Sequence, residues 1–433
     1  MLNINKLLLF LSLAFIGLVS CTQNQPVVLS ENMAWCWFSD PRAVIAGAND
    51  QLVITGGVGD EGSIKAVSYN LKDQSIKKGI IHPKLETDDH NNPAFLERPD
   101  GKILAFYTKH HRDALYMSMT KESGNVENWT KPVKINPVNE KENKLYGESR
   151  YTYANPAMLS KEQNRIYLFG RWTGFKPTMA WSDDGGKSWS QSRVVICPQP
   201  FDPGNRPYLK YFSDGNSRIH MTFTDGHPRD EPLNSVYYAY YENGFFFRTS
   251  GDTICSIEKL PFEPKEATKV YDAQKTNARA WVYDIRTDQK GNPVIAYAQY
   301  PDEQTHLYHY ARFDGEKWTD RKICDAGKWF PQTPEGIKER EPHYSGGLVI
   351  DAGNPYGVYV SREKNGVFEI EHWMWNPEKK SGTFTPITQN SQHDQVRPVS
   401  IDAPESKKAV LWMENLKYIH YTDFKSSVKL YVE

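Results

Sequence analysis

Three features of the sequence predict an all-β fold. Aromatic residues make up 13% of the chain, with 12 Trp and 25 Tyr. Glycine (29) and proline (27) punctuate it throughout, and short apolar runs recur in pairs joined by turn signals. No stretch sustains a helical period. The length of 433 residues suits one large all-β domain or two or three average ones. A formal net charge of −1 supplies no global field to draw the chain to nucleic acid or to an anionic membrane.

The first element is a targeting segment. Lys6 precedes LLLFLSLAFIGLVS, an apolar run too short for a stable spanning helix, and the run ends at Cys21. LVSC resembles a bacterial lipobox, in which the cysteine is lipidated after cleavage; an ordinary secretory signal cleaved nearby is the alternative. The expectation is a lipoprotein signal peptide over 1–20 and a lipidated tether over 21–31. The protein would then be exported, to the periplasm or outer-membrane surface of a Gram-negative bacterium. Cys36, Cys197, Cys255 and Cys324 are widely spaced with no CxxC pair, which speaks against a zinc cluster built of these cysteines and leaves their pairing open.

From residue 38 onward one unit recurs: a polar residue, an apolar strand, a turn, and a second apolar strand. Seven segments carry it. They are FSDPRAVIAGANDQLVITGG, HNNPAFLERPDGKILAFYTKH, YANPAMLSKEQNRIYLFGRW, NRPYLKYFSDGNSRIHMTFTDGH, ARAWVYDIRTDQKGNPVIAYAQY, HYSGGLVIDAGNPYGVYVSRE and VRPVSIDAPESKKAVLWMEN. Their spacing leaves room for two more strands each, so the prediction is a seven-bladed β-propeller of four-stranded antiparallel blades over 32–433. SDDGGKSWS fits S-x-D-x-G-x-x-W through Ser182, Asp184, Gly186 and Trp189. It resembles the Asp-box of sialidase-type blades, a structural turn, and FDGEKWT and SGNVENWT look like degenerate copies. PVVLS near the start and SVKLYVE at the end are expected to meet in the last blade and close the ring.

Blade topology turns the repeats into a site prediction. The two innermost strands form an antiparallel hairpin, so the residue before the first and the residue after the second share one face. His90 and His110 hold those places in the second repeat. The third offers Tyr153, with Tyr151 nearby, and Arg171. The fourth offers Asn205 and Arg206, then Asp225, His227 and Arg229. The fifth offers Arg279 and Tyr300, and the sixth His343, Tyr344 and Arg362. Arg42 and Arg397 lie just inside the first and seventh. Histidines, tyrosines and arginines around one funnel select an anionic ligand, because guanidinium forks match carboxylates or sulfates and the aromatics suit sugar rings.

The nearby acids are Asp225, Glu231 and Glu339, and no pair flanks the funnel as two-carboxylate glycoside hydrolysis needs. The remaining groups suit β-elimination at a uronic acid: arginine neutralises the carboxylate, and His or Tyr serve as base and acid. No cofactor and no catalytic metal is required; a structural ion is compatible with the sequence but not predicted. The WCWF tryptophans read as blade core. The predicted partner is an acidic polysaccharide or oligosaccharide, with membrane contact only through the lipid anchor, and a monomer is expected.

The segments WCWFSDPRAV, DDHNNPAF, FYTKH, YANP, LFGRWT, FTDGHPRDEPLNSVYYAYY and HYSGGLVID resemble the BNR-4 repeat family. That family includes seven-bladed propeller lyases acting on ulvan and rhamnosyl-glucuronate linkages, and a related α-L-rhamnosidase family. The resemblance implies catalytic roles for His90 and His110, for Arg171, and for Tyr153 or Tyr151. It implies substrate binding by Arg229; Arg206, Arg279, His343 and Tyr344 are further binding candidates from their strand positions. Tyr238 stands where some ulvan lyases have a zinc-binding histidine, leaving His227 as the remnant of such a site. The rhamnosidase resemblance would call for a histidine early in the first blade, and none lies between residues 30 and 80. The leading reading is therefore a lyase; the alternatives are a rhamnosidase-like or sialidase-like hydrolase and a non-catalytic acidic-glycan-binding propeller.

Overall fold

A computed structural model describes residues 25–302, 304–327, 346–376, 381–404 and 407–433. The segment expected to be a signal peptide, Cys21, Glu339, His343 and Tyr344 lie outside the described residues. The strands form seven antiparallel sheets in chain order. Their inner strands are Ala43–Ala46, Ala94–Glu97, Asn155–Leu159, Leu209–Ser213, Arg279–Thr287, Leu348–Ile350 and Asp394–Asp402. Each touches the next around the ring, and the last returns to the first. The result is the seven-bladed β-propeller that the repeats predict.

Blades stack face to face, so their middle strands are buried on both sides and read as near-continuous apolar runs. Ile103–Thr108 is ILAFYT and Arg165–Arg171 is RIYLFGR, buried along nearly their whole lengths. Close stacking also restricts side-chain size. A Cβ on Gly79, in the outer strand of blade 1, would lie 1.7 Å from the Val126 carbonyl oxygen of blade 2. Val126 belongs to SGNVENWT, where Trp129 Nε1 donates to the Val126 carbonyl at 2.6 Å.

The complete Asp-box of blade 3 ties its turn through one carboxylate. Asp184 accepts from the Lys187 and Ser188 backbone amides, both at 2.9 Å, and from the Ser182 hydroxyl at 2.8 Å. Gly185 and Gly186 adopt φ of 74° and 94°, which glycine reaches without Cβ strain. Trp189 then stands edge-on to Phe106 of blade 2 at 5.8 Å between ring centres.

The ring closes as the sequence suggests. Val27–Ser30 pairs antiparallel with Asp423–Val432 as the outermost strand of blade 7. Among the described residues only blade 4 exceeds four strands: Thr253–Ser256 extends its edge and Thr268–Tyr271 pairs with Val236–Glu242. The four described cysteines are free thiols.

Trp412 tests the blade interface. It is fully buried among Val349, Tyr359, Ile370, Val410 and Tyr431, between blades 6 and 7. Its Nε1 donates to Gln395 Oε1 at 2.6 Å. Trp412→Ala is expected to lose about 3–5 kcal/mol, read as an earlier thermal unfolding transition than the parent's.

Candidate active site

The loops entering the inner strands and those leaving the second strands converge on a funnel of about 200 Å³ at one end of the axis. Its polar wall carries His90, His110, Tyr153, Arg171, Arg206 and Arg229; its floor is Cys36, Trp37 and Phe38. The hairpin of blade 2 does deliver both histidines to one place. Their rings stack with centres 4.0 Å apart and planes 12° from parallel.

One carboxylate organises the pair. Asp88 Oδ1 lies 2.8 Å from His90 Nδ1, and Asp88 Oδ2 lies 3.0 Å from His110 Nδ1. Asp88 also caps the short turn Asp89–Asn91 by accepting from the His90 amide. Asp89 Oδ1 is 3.2 Å from His90 Nδ1. The other Asp89 oxygen is taken by Arg397 and the Tyr418 hydroxyl.

These contacts separate the charges of the two rings. Burial opposes a charge on His90, but it lies beside Cys36, Asp88 and Asp89 and is held well above the ordinary imidazole value. Burial pushes the Cys36 thiol up as well, so it stays protonated and the carboxylates carry the effect. His110 goes the other way, down to about 4, through burial and the neighbouring charge of His90, with Arg171 adding to it. At neutral pH the pair therefore holds one cation and one neutral ring.

Across the funnel, the Arg171 guanidinium lies 5.0 Å over the Tyr153 ring and 5.2 Å over the Tyr208 ring. Its Nη1 donates to the Tyr208 hydroxyl at 2.6 Å, while its buried Nε has no hydrogen-bond partner. Burial, with Tyr208 adding and Arg171 opposing, holds the Tyr153 phenol well above its ordinary value. His111, Phe175 and Arg206 continue this wall as a stack, with His111 4.3 Å from the Phe175 ring and Arg206 4.7 Å from it. Tyr153, His111, Phe175 and Arg397 all sit at φ between 54° and 65°. Left-handed backbone at bulky residues costs of order 1–3 kcal/mol each and concentrates at functional sites.

Other predicted residues stand elsewhere. Tyr151 is buried against Trp172, its hydroxyl donating to Asn136 at 3.2 Å, so it packs between blades rather than facing the funnel. Arg279 is outside the lining and donates to the Pro228 carbonyl at 3.0 Å. Asp225 accepts from the Ser235 amide and the Tyr237 hydroxyl, and Glu231 from Asn205. His227 lines the funnel beside Trp281, its Nδ1 accepting from the Arg229 amide at 3.0 Å. The Tyr238 hydroxyl is 2.7 Å from His220 Nδ1, a buried pair away from the funnel lining.

Several lining residues escaped the sequence reading. Trp37, read as core, is core and also borders the funnel floor together with Phe38. Asp88 and Asp89 precede His90 directly, and an acid pair before a histidine was the available signal. His420 and Tyr421 line the opposite wall because the second strand of blade 7 runs to His420, beyond the expected repeat. Cys36, Asp89 and His90, and likewise Asp88, His90 and His110, bring potential metal ligands within 4.8 Å of one another. The hydrogen bonds and ion pairs of Asp88 and Asp89 engage most of these atoms.

A larger cavity of about 520 Å³ occupies the other end of the axis. It lacks an acid–base set of this kind. Its wall is largely apolar, Asp40 is paired with Arg42 and Lys210, and Asp284 accepts from the Ile350 amide.

Residues 55–326 match the family described as BNR repeat-containing. The chain belongs to that family. This BNR-repeat propeller resembles a polysaccharide lyase family 25 ulvan lyase solved with bound -[GlcA(1-4)Rha3S]-, at a TM-score of 0.67 and 14% identity over 93% of this chain and 95% of that one. It also resembles the polysaccharide lyase Uly1, at 0.56 and 12% over 93% and 92%. A third likeness is the BP39L lectin of Burkholderia pseudomallei, at 0.51 and 11% over 90% and 96%. At these identities the likeness is one of fold. No curated protein matches the sequence.

The two histidines should be separable by ring-proton NMR. His90 is expected to stay protonated through neutral pH, and His110 to take a proton only near pH 4. His110 lies below its unfolded value of 6.5, so its contribution to stability is complete above that pH and is lost as pH falls towards 4. The raised His90 contributes fully below 6.5 and loses its contribution as pH rises through its folded value.

Proposed function

We propose that this protein is a polysaccharide lyase that cleaves a uronate-containing glycan, of rhamnose–uronate type, by β-elimination. The observation that carries the reading is a pair of stacked histidines bridged by Asp88, facing Arg171 and Tyr153 across one funnel. Among the described residues the carboxylate on the funnel lining is Asp89, already held by Arg397, so a two-carboxylate hydrolase finds no free pair there.

The chemistry follows from the charges. A uronate carboxylate enters between protonated His90 and the Arg171 guanidinium, both on the funnel lining. Neutralising that charge acidifies the proton at C5. His110 shares its Nδ1 side with Asp88, which leaves Nε2 as the atom to accept the C5 proton. The electron pair of that C–H bond forms the C4–C5 double bond as the C4–O bond breaks. Tyr153, kept protonated by burial, gives its proton to the leaving oxygen. The incoming carboxylate offsets the two cations that depress His110, raising its basicity when substrate is bound.

The bound saccharide of the ulvan lyase supports this substrate class. The N-terminal sequence supports export and lipidation at Cys21. The wall of His111, Phe175 and Arg206 suits the next sugar along the chain.

Acidic polysaccharides and rhamnosyl-glucuronate oligosaccharides, read by ultraviolet absorbance and reducing-sugar assay together, test the reading. Lysis gives both signals. Reducing ends without absorbance would mean hydrolysis, and binding with neither would mean a lectin-like propeller. His110→Ala and Tyr153→Phe are each expected to lower kcat about 10²–10⁴-fold while binding persists. Arg171→Ala should weaken uronate binding as well as turnover. The rate should rise with pH through an apparent value above that of free His110.

A further inference from the structure

A third pocket opens between the outer strands of blades 5 and 6. It has a volume of about 170 Å³ and is walled by Tyr310, Tyr356, Trp373 and Trp375, with Val358, Ile323 and Met374 filling the gaps. Tyr356 lies just before Gly357–Lys364, in the turn between the first and second strands of blade 6. Trp375 lies near the end of the third, Val367–Asn376. Both places are on the face away from the funnel, because strand direction alternates across a blade.

The walls are held in place. Trp373 stacks on Phe384 with centres 4.9 Å apart and planes 19° from parallel, and its Nε1 donates to Glu371 at 2.9 Å. The Arg321 guanidinium lies 3.7 Å from the Trp375 ring, and Arg312 lies 4.4 Å over Tyr356. Arg312 is fixed by Asp288, and the Tyr310 hydroxyl donates to the Pro355 carbonyl. Tyr310 and Trp373 are anchored in or against the core and, with Tyr356 and Trp375, turn part of their surface to the pocket; exposed apolar concavities of this kind mark binding sites.

We propose that this pocket is a non-catalytic carbohydrate site that seats one neutral pyranose ring, a 6-deoxyhexose unit of the glycan. The size admits a single ring rather than a chain. Aromatic faces pack against the C–H face of a sugar, and the aliphatic residues match a methyl group better than a hydroxymethyl. An acidic sugar fits less well, because Arg321 is engaged by Trp375 and Lys322 by Asp325 at 2.7 Å. A propeller gripping its polymer on this face would keep the glycan attached to the molecule between cleavages, raising the effective concentration of cleavable bonds. Only the choice of a rhamnose-type probe rests on the lyase reading.

Methyl α-L-rhamnoside is the probe, with methyl β-D-glucuronide as comparator, observed by saturation-transfer NMR and tryptophan fluorescence on the full chain. The expected result is rhamnoside binding that Trp375→Ala weakens about tenfold or more, that Trp375→Phe partly retains, and that Arg171→Ala leaves unchanged. Matched thermal unfolding of Trp375→Phe and the parent guards against misfolding. On any polymer substrate Trp375→Ala should raise KM while turnover of short oligosaccharides stays the same. No rhamnoside binding, equal binding by Trp375→Ala, or loss in Arg171→Ala would each overturn the proposal. The binding readout needs no turnover, so absence of lyase activity would sink the funnel reading and leave this one standing.

Discussion

The ion pair between Asp89 and Arg397 is the constraint on which the funnel depends. Both side chains are almost wholly withdrawn from water, with exposures of 1% and 2%. A buried pair of this kind gains little net stability, yet removing one partner strands the other at a cost of about 3–5 kcal/mol. Here the pair also joins distant parts of the chain. Arg397 enters from blade 7, donates to the Trp35 carbonyl at 2.6 Å and to the Tyr418 hydroxyl at 2.8 Å. The Trp35 indole returns a hydrogen bond to the Arg397 carbonyl at 3.1 Å. The backbone of Asp89 bonds Tyr421 of blade 7 and Cys36 before blade 1, each at 3.0 Å. The loop bearing His90 is thus fastened from both neighbours.

That fastening decides how the histidines differ. With Asp89 largely committed to Arg397, Asp88 alone bridges both rings, and two imidazolium ions 4.0 Å apart would repel strongly. The proton goes to the ring with two carboxylates at its Nδ1, which is His90. His110, facing Arg171 and touching one carboxylate, is left neutral. Two residues of the same type in one hairpin thereby acquire different chemistry from a single difference in their partners.

Periodicity makes hairpins readable in a sequence, whereas contacts between distant residues leave no such mark. Paired apolar runs and turn residues determine a hairpin locally, so the seven repeats, the Asp-box and the joining of Val27–Ser30 to Asp423–Val432 were all legible. The hairpin rule also brought His90, His110, Tyr153 and Arg171 to one face, because it depends only on strand direction. It could not separate Tyr151 from Tyr153, two residues apart with opposite surroundings. Tyr153 reaches the funnel through a left-handed backbone at φ 65°, which no local pattern announces. Nor could it show that Arg397 binds Asp89, since the partners are 308 positions apart. Trp37 is core, as the sequence suggests, and so is Phe38, yet both also border the funnel, a second role that hydrophobicity alone does not announce.

The left-handed residues explain why so rigid a ring is useful. Tyr153, His111, Phe175 and Arg397 each hold a conformation that an isolated loop would relax, and a relaxed loop would turn these side chains away from the axis. What resists relaxation is the surrounding frame. Arg171 donates its backbone amide to the Thr152 carbonyl at 2.9 Å, and the His111 amide donates to the Thr152 hydroxyl at 3.0 Å, bracing the turn that presents Tyr153. Trp172 Nε1 is 3.4 Å from the Tyr153 carbonyl. Blades packed on both faces cannot yield to one strained loop without disturbing their neighbours, so the strain persists and the aromatic and cationic groups stay aimed at a common centre. The propeller contributes preorganisation to the site, and the chemical groups come from short loops of several blades that the ring prevents from relaxing.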